Sequence, residues 1–265
     1  MTKISAREIT GPIRELGVEP HDVLFVHSSM LSSLRVEGAT REEKMDTMLD
    51  ALESVVPDGV LMLPTFTYSF CKDENFDVEL SPSTVGALTE HFRRRPGVRR
   101  TPEPIFSVAI KGSLPDEWER RIFEVDDVDC FGEDSLFAYL HAVDAKLLFL
   151  GVGFEFCTFM YLVEERLSVP YRYMKQFCGA VIAQGRRTQV RADYFVRKLD
   201  AGVENNFLPL AEALRGRSLT AEARIARGPG LLCCGARAVH DLAVEKVRES
   251  PDYLLTRGHP QLPAA

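Results

Sequence analysis

One short stretch holds several side chains able to do chemistry, Cys157-Thr158-Phe159-Met160-Tyr161-Leu162-Val163-Glu164-Glu165. Read as a helix, its spacing puts Thr158, Tyr161 and Glu165 on one face with Glu164 beside them. A phenol ionises near pH ~10, so Tyr161 is a poor base at neutral pH unless a cation lowers its pKa. It can still donate a hydrogen bond to a developing oxyanion or a leaving thiolate. The competing reading is an aromatic residue packed at a helix start. If a proton must be removed, His27 at a strand end is the best candidate, with Glu103 and Glu164 after it. His27 could equally be a hydrogen-bonded structural histidine. Cys157, just before the helix, could gain thiolate character from the helix N-terminus.

A second group of residues offers binding rather than chemistry. His27-Ser28-Ser29-Met30-Leu31-Ser32-Ser33 follows the apolar run Asp22 to Val26, and Thr65-Phe66-Thr67 follows Val60-Leu61-Met62-Leu63. Small hydroxyl residues after buried strands leave backbone N–H groups at the carboxyl edge of a sheet, where open α/β sheets bind ligands. Such loops can hold a pantetheine arm or a pyrophosphate. Each can also be an ordinary strand-end turn.

These residues need a scaffold, and the pattern supplies one. Ser5-x-x-Glu8 and Thr40-x-x-Glu43 are capping boxes that open two helices. Continuous apolar runs at Asp22–Val26, Val60–Leu63 and Lys146–Val152 predict buried parallel strands. Further expected elements are a helix over Val85–Arg94, a strand over Ile105–Ile110 and a helix capped by Asp134-Ser135. The site stretch is expected as a helix over Thr158–Leu167. After Pro170 the pattern changes to a hairpin around Gln184-Gly185-Arg186, a helix near Leu208–Leu214, a strand pair within Glu222–Cys234 and a last helix Ala236–Arg248. The tail from Pro251 is expected to lie loosely on the surface. The expected fold is α/β, layered α/β/α around a mixed, mostly parallel sheet with a more antiparallel C-terminal part. It forms a single domain over residues 1–265.

Composition narrows the function classes. The 265 residues carry a net charge of −7, which argues against nucleic acid or an anionic membrane as the main partner. No apolar run reaches about 18 residues, and the N-terminus lacks an apolar signal core, so a cytoplasmic protein is expected. The six cysteines form no CxxC and read as reduced thiols, with no metal site from their spacing. His21, His91, His141, His240 and His259 read as structural or exposed. GxSxG, P-loop, GxGxxG and HExxH motifs are absent.

Taken in order, the motifs resemble the aminoglycoside 3-N-acetyltransferase family. They are Val26-His27-Ser28-Ser29, Pro64-Thr65-Phe66-Thr67, Arg100-Thr101-Pro102-Glu103-Pro104 with Ser107, Ala109 and Gly112, Phe131-Gly132-x-x-Ser135, and the Thr158 helix. The resemblance implies transfer of an acetyl group from acetyl-CoA or another acyl-CoA to a small-molecule amine. It implies a cofactor cleft built from His27, Ser28, Ser29, Ser33, Thr65, Phe66, Thr67 and Ser107. Two positions depart from the family. Tyr161 stands where the family has its catalytic histidine, with the family's acidic residue at Glu164. Glu103 stands where many members have a histidine facing the acceptor. The expectation is therefore an N-acyltransferase for an amine-bearing metabolite or amino sugar, outside the typical aminoglycoside resistance enzymes. The alternatives are altered thioester chemistry (O-acylation, hydrolysis or a carrier-protein donor) and a non-catalytic CoA or metabolite binder. A homodimer is compatible with this reading.

Overall fold

The computed structural model describes residues 3–29, 35–72, 75–199, 202–226 and 228–256. In chain order the elements are α1 (Ala6–Glu15), β1 (Val23–Ser28), α2 (Arg41–Val55), β2 (Val60–Pro64), β3 (Phe76–Asp77), α3 (Ala87–Phe92), β4 (Arg99–Arg100), β5 (Val108–Lys111), α4 (Asp116–Phe123), β6 (Val128–Asp129), α5 (Leu136–Ala142), β7 (Lys146–Leu150), α6 (Met160–Arg166), β8 (Arg172–Ala183), β9 (Arg186–Arg197), α7 (Leu208–Gly216), β10 (Thr220–Arg224), β11 (Gly230–Gly235) and α8 (Ala236–Glu249). Both expected capping boxes are present, Ser5 with Glu8 and Thr40 with Glu43.

Seven strands form the main sheet in the order β10-β11-β7-β1-β2-β5-β4. The parallel pairings are β1 with β2 and β1 with β7. Both flanks are antiparallel, through β2–β5, β5–β4, β7–β11 and β11–β10. The sheet is mixed, as expected, but not mostly parallel: antiparallel pairings outnumber parallel ones four to two, because the short connections within β4–β5 and β10–β11 pair antiparallel at both edges and confine parallel pairing to the centre. Strands that read as uniform apolar runs still alternate between two cores. Leu24, Val26, Leu61, Leu63 and Leu148 pack with α1, α2 and α3. Phe25, Met62, Leu147 and Phe149 pack with α5, α6, α7 and α8 on the opposite face. His27 follows Phe25 by two residues and so shares this second face.

A second sheet, β3-β8-β9-β6, is built on the long β8–β9 hairpin. The hairpin is longer than its apolar pattern suggested because its outer residues are polar and partly exposed. β5 begins at Val108 rather than Ile105, since the chain from Thr101 to Phe106 is taken up by a turn organised by the Glu103 carboxylate, which accepts from Ile105 N and Phe106 N. The acidic, arginine-rich helix α4 is absent from the expected elements; its eight residues pack Trp118, Ile122 and Phe123 against the core, too short an apolar pattern to mark a helix. The tail is anchored through Thr256: Leu254 and Leu255 are buried, and Asn206 N donates to Leu254 O at 2.7 Å.

Arg100, only 7% exposed, locks the end of β2 to the start of β5. Its Nε donates to Thr65 Oγ1 at 3.2 Å and Ser107 Oγ at 3.0 Å, and its Nη2 to Thr65 O at 2.6 Å. Its Nη1 donates to Val78 O and Ser81 O. Burial holds this guanidinium down to about 10, so it remains charged at neutral pH. Arg100→Ala strips donors from several buried acceptors, each worth about 1–3 kcal/mol when left unpaired. The expected loss is about 2–4 kcal/mol in urea denaturation. Arg100→Lys should recover only part of it, because an ammonium cannot reproduce the planar five-donor fork. Arg215→Ala at the exposed surface should stay within about 0.5 kcal/mol of wild type.

Candidate active site

β2, β1 and β7 run side by side and end on one edge of the sheet, with His27 opposite Phe149 and Ser28 opposite Leu150. Between this edge and the start of α6 lies a cleft of about 410 Å³, lined by His27, Ser28, Phe66, Tyr68, Thr158 and Tyr161 among others. The 3₁₀ turn Phe154–Phe156 carries the chain from β7 to α6 and adds Glu155 and Phe156 to its wall.

His27 is 6% exposed, stacked on Phe149 at 5.2 Å and edge-on to Phe25 at 5.0 Å. Its Nε2 is 3.3 Å from Thr158 Oγ1, which ties β1 to the entry of α6. Burial among aromatic rings brings the imidazole down to about 3. It is neutral at physiological pH and has little affinity for a proton. Ser28 Oγ is buried and has no hydrogen-bond partner among the described residues. A buried hydroxyl of this kind on a cleft wall is suited to a polar group of a ligand.

Tyr161 is held by its ring. It packs edge-on against Phe131 at 5.6 Å and Phe106 at 6.1 Å. The Arg172 guanidinium lies 4.6 Å over its face. A cation is therefore present beside the phenol, but burial outweighs it and the hydroxyl is pushed above its ordinary pKa. Tyr161 is a donor at neutral pH.

Glu164 points away from the cleft and is fully buried. Its Oε2 is 2.8 Å from Arg172 Nη2, and its Oε1 accepts from Tyr171 OH at 3.0 Å and from Asn205 Nδ2. Burial raises its carboxyl while Arg172 opposes the rise. Glu165, one turn after Tyr161 in α6, lies against Asp129, and burial followed by that neighbouring charge raises its pKa. Cys157 lines the cleft, yet burial pushes its thiol up to about 12, so the helix entry does not make it a thiolate.

The structure brings only part of the expected set together. His27, Ser28, Ser29, Phe66 and Tyr161 line the cleft. Thr65 and Ser107 are 0% exposed, and Thr67 is 3% exposed. Thr65 Oγ1 donates to Ser107 O at 3.0 Å and Ser107 Oγ to Thr65 O at 2.9 Å, so these hydroxyls hold the cleft wall from behind. Glu103 lines a different cleft of about 350 Å³ with Arg121, Asp127 and Asp129, and burial raises it to about 7. Ser33 lies outside the described residues. Sequence reading did not select Tyr68, Val85, Gly86, Thr89 or Glu155 for the cleft. They arrive from loops and from the start of α3, with no motif spacing to signal it. Arg172 was legible only as part of the Tyr171-Arg172-Tyr173 run.

The neutral state of His27 has a consequence for stability. Between its ordinary value of 6.5 and about 3, the unfolded chain takes up a proton that folded His27 refuses. Its contribution is complete above the unfolded value and declines as pH falls, by at most about 1.4 kcal/mol per pH unit. Wild type should therefore lose stability relative to His27→Gln as pH falls from 6.5 toward 4 in urea titrations. A flat difference curve would show that the native imidazole is already protonated.

Three comparisons agree with this geometry. The family model for aminoglycoside 3-N-acetyltransferase matches residues 25–248. Aminoglycoside N(3)-acetyltransferase IV from Salmonella sp. is 32% identical over 190 residues, covering 71% of this chain and 67% of that protein. Among solved structures, a mutant of aminoglycoside acetyltransferase AAC(3)-IVa in complex with apramycin superposes with a TM-score of 0.75 at 25% identity, over 96% of this chain and 96% of that one. The binary complex of AAC-IIIb with CoASH has the same fold, with a TM-score of 0.76 at 18% identity over 97% and 99% of the two chains. A match spanning most of the chain, together with a relative at this identity, places the protein in the aminoglycoside 3-N-acetyltransferase family.

Proposed function

We propose that this chain is an acyl-CoA-dependent N-acyltransferase for an amine-bearing metabolite or amino sugar, with Tyr161 acting as a hydrogen-bond donor where the family has a histidine. The carrying observation is the cleft itself: His27, Thr158 and Tyr161 surround one space, beside a buried Ser28 hydroxyl with no partner among the described residues. That hydroxyl, with the strand-end backbone beside it, suits the amide-bearing pantetheine arm. The cleft continues into a wider groove of about 910 Å³ through Ser29, Val152, Glu155 and Phe156, and Arg215 and Arg224 line that groove. Arg224 suits a phosphate of CoA, while Arg215 is paired with Glu222 on the same wall.

Transfer needs a neutral amine, polarisation of the thioester carbonyl and a proton for the leaving thiolate. Tyr161, kept protonated by burial, supplies the donor. Neutral His27, with its pKa near 3, orients Thr158 and does not serve as an efficient base. Glu103 and Glu164 are committed to other partners. Proton removal falls to water or to Glu155 on the cleft wall. This favours an acceptor whose amine is already largely uncharged at the working pH.

CoA at a hundredfold excess over its Kd should raise the melting temperature by roughly 5–10 °C. Turnover with acyl-CoA and a panel of amines, followed by thiol release and product mass, should rise with pH along the acceptor's own ionisation. Tyr161→Phe should lower kcat by roughly 10²-fold and leave the CoA-induced shift unchanged. Tyr161→His should add an acid limb near neutral pH. A kinetically silent Tyr161→Phe would reduce Tyr161 to a packing residue. Binding of CoA with no turnover of any acyl donor would favour the non-catalytic binder, and no thermal response to CoA would remove the proposal.

A further inference from the structure

At the opposite end of β7 from the cleft, two histidines far apart in sequence come together. His141 stands in the last turn of α5 and His240 in the second turn of α8. Their rings are 4.3 Å apart, centroid to centroid, with the planes at 50°. Asp241 Oδ1 lies 2.9 Å from His240 Nδ1. One ligand atom from each of His141, His240 and Asp241 lies within 4.8 Å of the other two.

We propose that His141, His240 and Asp241 form a binding site for a zinc-class divalent cation, with water completing the tetrahedron. Two imidazoles and a carboxylate are a borderline donor set that suits Zn²⁺ or Co²⁺ over Mg²⁺ or Ca²⁺, which prefer oxygen. Ligand atoms on a tetrahedral zinc stand roughly 3.3 Å apart at metal–ligand distances of about 2.0–2.1 Å. Closing the cluster from its present spread calls for rotation of the side chains. Asp241, 76% exposed, is free to make it. The backbones beneath are already fixed. Arg237 N donates to Asp144 Oδ1 at 2.9 Å, and its guanidinium donates to His141 O and Ala142 O. These bonds tie the end of α5 to the start of α8 and turn the arginine toward carbonyls.

The site is structural. A metal there staples α8 to α5 at the amino edge of β7, away from the cleft, so it stabilises the fold without taking part in transfer. The expectation of a metal-free chain rested on Cys and His spacing along the sequence, and packing supplies a juxtaposition that spacing cannot.

The test uses tag-free protein stripped with EDTA. One equivalent of Co²⁺ should bind with the visible bands of tetrahedral N/O ligation and no thiolate-to-cobalt charge-transfer band. Zn²⁺ should raise the melting temperature by several degrees. His141→Gln and His240→Gln should each weaken binding at least tenfold, with Asp241→Asn intermediate, and all three should keep the wild-type response to CoA. Failure of wild type to bind a stoichiometric equivalent below millimolar metal overturns the proposal. So does a charge-transfer band from cysteine ligation, or unchanged binding in both histidine variants.

Discussion

The buried pair of Glu164 and Arg172 is the interaction on which the arrangement turns. Glu164 belongs to the helix that enters from the main sheet, and Arg172 opens the hairpin of the second sheet. Tyr171 and Asn205 supply further hydrogen bonds to the carboxylate, while the guanidinium covers the ring of Tyr161. Losing one partner would strand a charge in an interior that cannot solvate it, a cost of about 3–5 kcal/mol for pairs of this kind. The same contact therefore joins the two sheets, fixes the direction of α6 and sets the plane of Tyr161.

Desolvation then decides the protonation states around the cleft. His27 is stripped of water by Phe25 and Phe149 and stays neutral. Tyr161 has a cation beside it, which by charge alone would help it ionise, but burial is the larger effect. Cys157 sits before a helix yet remains a thiol for the same reason. A site assembled this way offers donors and neutral dipoles. Such groups suit the stabilisation of developing charge more than the removal of protons, which is the basis of the role proposed for Tyr161.

Membership of the acetyltransferase family fits this scaffold, and the proposal that Tyr161 stands in the family's histidine position turns on the difference between the two side chains. A histidine in that place alternates between acceptor and donor near neutral pH. A buried tyrosine only donates. Around Tyr161 stand the Thr158 contact to His27, the Phe66 wall and the Arg100 lock behind it.

By itself the sequence determined the central strands, the capping boxes of α1 and α2, and the family, because these rest on local patterns: apolar runs, N-cap residues three positions before a glutamate, and short motifs in order. It also pointed to the ends of β1 and β2, where His27, Ser28 and Phe66 line a cleft. It did not determine which side chains of those motifs face the cleft. Thr65 and Ser107 share their motifs with Phe66 and Phe106, yet their hydroxyls turn inward to Arg100, a partner 35 and 7 residues away. Glu103 and Tyr161 were read as parts of one site, but aromatic packing through Phe106 and Phe131 sends the carboxylate to another cleft. The ionisation of His27, the partner of Glu164 and the meeting of His141 with His240 were likewise settled only by tertiary structure. Burial and long-range pairing are properties of the packed chain, and no local spacing encodes them.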